Sequence, residues 1–116
     1  MSDVVIYHNP ACGTSRNTLA LLREKGLEPK VVEYLKAGWT AAQLKGLIKT
    51  MGLPARDILR VMGTEAEALG LTAAGANDAL LIAAMVKDPI LVNRPIVVTA
   101  KGAALCRPAE RALELL

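Results

Sequence analysis

The chain of 116 residues has no phenylalanine, one tryptophan and two tyrosines. Its core must therefore be aliphatic, and it lacks the aromatic platforms on which single-stranded bases stack. Lys and Arg outnumber Asp and Glu by only 14 to 11, giving a formal charge of +3, and they are scattered rather than clustered. That balance suits a small anionic substrate and argues against nucleic acid. Two cysteines, Cys12 and Cys106, are too few for a disulfide framework. The single histidine, His8, excludes a zinc site built from histidines, and His8 with Cys12 cannot complete a tetrahedral set. The longest apolar run, residues 79–86, falls far short of the roughly 20 residues that cross a bilayer. No basic segment followed by an apolar one precedes the first strand. The expectation is one soluble, cytoplasmic domain spanning residues 1–116, in which thiol chemistry is catalytic rather than structural.

Apolar residues make up 53% of the chain, enough for one packed core. Patterning predicts a first strand at residues 4–7, a helix over about 15–25 stopped by Gly26, and a parallel strand at 30–34. Thr40 and Gln43 form a capping box for a helix ending near Gly52. Pro54 starts a short helix to Arg60, and Asn77 or Asp78 caps another that stops at Asp88-Pro89. Residues 63–71 show no decisive period. A hairpin follows, with strands at 96–99 and 103–106 around a turn at 100–102. Pro108 then opens a final helix with Leu113 and Leu116 on one face. The whole reads as α/β, a mixed sheet flanked by helices, with a helical insertion at about 38–90 between a βαβ unit and a ββα unit.

The stretch YHNPACGTSR, residues 7–16, carries the chemistry. An apolar strand breaks at Asn9-Pro10, and Cys12 follows at the mouth of a helix opening at Thr14 or Ser15. Free amides and the dipole there favour an anion, and a thiolate is the nucleophilic form of cysteine. Ionising most of a thiol at neutral pH takes a shift of roughly 2 units, or about 2.7 kcal/mol. The dipole supplies about 0.3–1 kcal/mol, up to about 2 in sheltered sites. The remainder must come from His8, Ser15, Arg16 or other cations. His8 either bonds near the sulfur or merely lines the loop. Arg16 reads as a solvated first-turn residue. Ser15 stands where a dithiol motif has its second cysteine, so reducing equivalents come from outside the loop, through Cys106 or, better, a separate thiol. Thr18 stands where a phosphatase loop needs arginine, and no Walker motif is present. Cys106 lies in a strand pattern and reads as structural.

The hairpin brings the residue before Pro95 beside the residue after Cys106, so Arg94 lies near Arg107. Two guanidiniums side by side suit an oxyanion, or else both are solvated strand ends. If the hairpin runs antiparallel to the first strand, both converge on Cys12 at the carboxyl end of that strand, where ligands of open α/β sheets sit.

Residues 7–18, Arg60, the run NRPI at 93–96 and the run LCRP at 105–108 resemble the glutaredoxin-coupled arsenate reductases over essentially the whole chain. The resemblance implies a thioredoxin-like fold with a cis-proline at Pro95. It implies Cys12 as nucleophile, His8 and Ser15 as its helpers, and Arg60, Arg94 and Arg107 as the oxyanion-binding triad. It implies arsenate as substrate, glutathione as co-substrate, glutaredoxin as partner, and no bound cofactor or metal. Many relatives continue beyond the position of Leu116 with a charged tail, and residues 63–71 are more alanine-rich than usual in the family. Two other functions fit the same scaffold: a glutathione-dependent thiol oxidoreductase with another substrate, and a thioredoxin-fold transcriptional regulator. The redox-active regulators carry a C-x-x-C switch and lack the arginine set, and Ser15 and the arginines argue against them.

Overall fold

The computed structural model describes residues 4–116. The described residues form two compact units: residues 4–37 together with Arg94–Leu116, and Gly38–Asn93.

In the first unit β1 (Val5–His8) leads through α1 (Gly13–Glu24) to β2 (Lys30–Glu33), followed by a one-turn helix, α2 (Tyr34–Ala37). After the second unit, β3 (Ile96–Thr99) and β4 (Gly102–Leu105) precede a 3-10 helix at Ala109–Leu115. The sheet order is β2-β1-β3-β4. β1 pairs in parallel with β2, whereas β3 runs antiparallel to both β1 and β4. Val4, Ile6, Leu22, Val97, Cys106, Ala112 and Leu115 form the buried cluster between sheet and helices. Gly26, at φ 81°, ends α1 by letting the Leu27 amide reach back to the Leu22 carbonyl and its own to Arg23.

In the second unit α3 (Ala41–Met51) opens with the expected capping box, Thr40 and Gln43 each receiving the other's backbone N–H. It closes at Gly52, φ 68°. Asn77 caps α4 (Asp78–Lys87) by accepting from the Leu80 amide. Two 3-10 helices, Ala55–Ile58 and Pro89–Leu91, pack against α4, and Leu59 bridges Val92. Residues 63–71 form a succession of turns.

Several boundaries differ from expectation for local reasons. β1 lies one residue later, so His8 belongs to the strand. α1 begins at Gly13, which makes Cys12 its N-cap. Tyr34 leaves the strand to start α2 and is buried there. The hairpin loop is two residues long, because Gly102, at φ 146°, already pairs with Thr99; β4 therefore ends at Leu105, before Cys106. Pro54 lies just outside its helix, which stops at Ile58 because Leu59 is extended. The C-terminal helix is 3-10, with three residues per turn, so Ala109, Ala112 and Leu115 face inward while Leu113 is exposed. Truncating Leu115 to Ala should therefore cost about 2–5 kcal/mol in chemical denaturation, and Leu113→Ala less than about 0.5. The opposite order would restore the α-helical phase.

Candidate active site

The site stands where β1 ends. Register pairs Tyr7 with Ile96 and Ile96 with Leu105. The loop after β1 thus meets the start of β3, while the Cys106 amide donates to the Pro95 carbonyl at 2.9 Å. Cys12, Arg94 and Arg107 are thereby gathered from three segments of the first unit. Arg107 Nη1 donates to the Arg94 carbonyl at 2.9 Å and lies 3.7 Å from Cys12 Sγ. The Arg94–Pro95 peptide is cis, as the resemblance implies, and so is Arg107–Pro108.

Asn9, read in the sequence only as part of the break that ends the strand, organises the cysteine loop. Its carbonyl accepts the Cys12 amide at 3.0 Å and its Oδ1 accepts the Ala11 amide at 2.9 Å. Its own N–H donates to Ser15 Oγ at 3.0 Å. The signal available was an Asn-Pro pair ending a strand, the composition of an Asx turn. Once folded, Asn9 is buried with all three groups engaged.

Burial raises the Cys12 thiol pKa, and that is the largest single influence on it. Three groups together outweigh it: the Ser15 backbone N–H in the first turn of α1, the Arg94 side chain and the Arg107 side chain. The thiol is held at about 7. The sulfur is thus roughly half ionised at neutral pH, and the thiolate gains as pH rises. Cys106 is fully buried, and burial pushes its thiol up to about 11, so it remains a thiol at physiological pH. Its surroundings are the apolar cluster, as its sequence context suggested.

The other expected helpers are placed differently. Ser15 Oγ is turned toward Asn9 N and His8 Nδ1, the latter at 2.6 Å, so its backbone rather than its hydroxyl serves the sulfur. His8 is buried, and desolvation, only partly offset by Glu33, lowers its pKa and keeps the ring neutral near pH 7. Arg16 is exposed and donates from Nη1 to the Pro10 carbonyl at 2.8 Å. In the second unit, Arg60 follows the extended Leu59, with its amide on the Leu91 carbonyl at 2.7 Å and Nη1 3.4 Å from Asn93 Oδ1. The Asn93 amide in turn donates to the Ile58 carbonyl.

A thiol with a lowered pKa, two arginines beside it and a helix N-terminus form a site for nucleophilic attack on an anion. The ArsC family model matches residues 7–115. The chain belongs to the ArsC family. An arsenate reductase of Synechocystis is 52% identical over 113 residues, covering 97% of this chain and 81% of that protein. The Escherichia coli K12 arsenate reductase is 50% identical over the whole chain and 82% of its own length. Among solved structures, an arsenate reductase from Vibrio cholerae superimposes with a TM-score of 0.94 at 41% identity, over 99% of this chain and 98% of that one. The mixed sheet of this ArsC-family member is the thioredoxin-like one of those structures.

Alkylation by iodoacetamide tests the electrostatics. Cys12 should react with a midpoint near pH 7, faster as pH rises, while native Cys106 stays unlabelled. Removing the guanidinium in Arg107→Ala should move the midpoint upward, and an unchanged midpoint would deny Arg107 its influence on the sulfur.

Proposed function

We propose that this protein reduces arsenate to arsenite with glutathione and glutaredoxin as reductants. Convergence of Arg94 and Arg107 on the sulfur of Cys12 is the observation that carries the reading. Its chemistry is constrained on both sides. A thiolate attacking an oxyanion brings together two negative charges, which needs fixed cations at the point of contact. The arginines supply those cations, and their planar forks match oxyanion geometry.

In the reaction the Cys12 thiolate attacks arsenic and water leaves, forming a thiol–arsenate adduct. Glutathione then attacks arsenic, and a second protonated oxygen leaves as water. A glutaredoxin thiolate attacks the glutathionyl sulfur: a glutaredoxin–glutathione disulfide forms, and the bond between arsenic and that sulfur breaks with its electron pair left on arsenic, now trivalent. Water hydrolyses the Cys12–arsenic bond to free arsenite and the thiol. External thiols are needed because Ser15 replaces a second loop cysteine and Cys106 is buried and protonated. Arg60 is the third oxyanion ligand on the strength of the family resemblance. His8 and Ser15 support the nucleophile, Ser15 through its amide and His8 by holding the Ser15 hydroxyl.

Steady-state arsenite formation with glutathione and glutaredoxin decides the matter. Activity should vanish in Cys12→Ser. Arg94→Ala loses charge-assisted hydrogen bonds of about 1.5–3 kcal/mol, so the arsenate KM should rise by about tenfold or more. Brisk exchange with mixed disulfides in an enzyme that leaves arsenate untouched would instead assign it another substrate.

A further inference from the structure

Arg16 takes no part in the reaction as drawn. It stands in the first turn of α1, four residues after Cys12, and its amide donates to the Cys12 carbonyl at 3.0 Å. A cation there opposes the helix dipole, and that turn contains no acidic residue to offset it. Among the described residues no carboxylate pairs with Arg16. One N–H, on Nη1, is fixed by the Pro10 carbonyl at 2.8 Å, Nη2 lies near Gly13, and the side chain is exposed. The side chain is thereby pre-organised against the cysteine loop at little further entropic cost.

Arg16 also differs from the pair on the sulfur. Arg94 and Arg107 stabilise the thiolate, whereas the Arg16 guanidinium is bound to the Pro10 carbonyl of the cysteine loop. Its head is held over Pro10. The charge it complements therefore belongs to something that approaches Cys12 from solvent while the oxyanion occupies the arginine pair. Resting on the glutathione-dependent reading above, we propose that Arg16 binds a carboxylate of glutathione and seats that donor beside Cys12. The positive charge and remaining N–H groups of the guanidinium can donate charge-assisted hydrogen bonds to a carboxylate.

Thiol–disulfide exchange tests this without arsenate. The Cys12 thiolate attacks one sulfur of glutathione disulfide; a Cys12–glutathione bond forms, the original S–S bond breaks, and glutathione thiolate leaves. Hydroxyethyl disulfide undergoes the same exchange without carboxylates. The ratio of the two rates should fall about tenfold in Arg16→Gln and be largely recovered in Arg16→Lys, which keeps the charge. In the arsenate assay, Arg16→Gln should raise the glutathione KM about tenfold and the arsenate KM less than twofold. A rate ratio within twofold of wild type overturns the proposal. So does an Arg16→Lys ratio no better than that of Arg16→Gln, which would reduce Arg16 to a clamp on Pro10. If the ratio behaves as expected while no arsenate is reduced, the proposed function fails and the carboxylate site stands.

Discussion

The contact between the Arg107 guanidinium and the Cys12 sulfur, with the same Nη1 bound to the Arg94 carbonyl, is the constraint on which the site depends. A thiol this sheltered would ordinarily be harder to ionise, because burial penalises the charged form. Here burial is indeed the largest influence on Cys12, yet the Ser15 amide and the two arginines reverse it. Cys106 shows what happens without such partners. In an apolar cluster of the same unit, the same functional group is pushed up to about 11. Two chemically identical side chains therefore differ in reactivity through their neighbours alone.

Making that contact requires the sheet. β1 delivers the cysteine loop, and β3 running antiparallel beside it returns Arg94 to the same end. β4 then brings Arg107 alongside. Asn9 freezes the loop between them by using its N–H, carbonyl and side-chain oxygen at once. Hydrogen bonds that are individually modest are concentrated on four residues, so the N-cap geometry of Cys12 is set before any anion arrives.

Much of this was legible in the residues. The βαβ start, the Thr40–Gln43 box and the left-handed stops at Gly26 and Gly52 follow from local rules, and the structure follows them. Hairpin geometry alone placed Arg94 beside Arg107. Features set by tertiary contact were harder to read. The C-terminal helix was expected to carry Leu113 and Leu116 on one face; the three-residue turn instead buries Leu115 and exposes Leu113, while Leu116 packs against the buried cluster. Ser15, expected to assist the thiolate, does so through its amide, because its hydroxyl is committed to His8 and Asn9. No pattern indicated a direction for Arg60, because the extended Leu59 and its bridge to Val92 join segments more than thirty residues apart.

The hairpin that carries both arginines has an evolutionary consequence. Its tip, Ala100 and Lys101, is exposed and distant in sequence from the sulfur, and among the described residues the Lys101 ammonium engages only the Leu116 carbonyl, so substitutions there should leave the sulfur untouched. Length in the arms is another matter. Side chains alternate between faces along a strand, so one residue inserted or deleted between Ile96 and Leu105 would reverse the side on which Arg107 emerges. Descendants of this chain can rewrite the lettering of that ribbon, but their reading frame along it is held by a cysteine at the mouth of a helix.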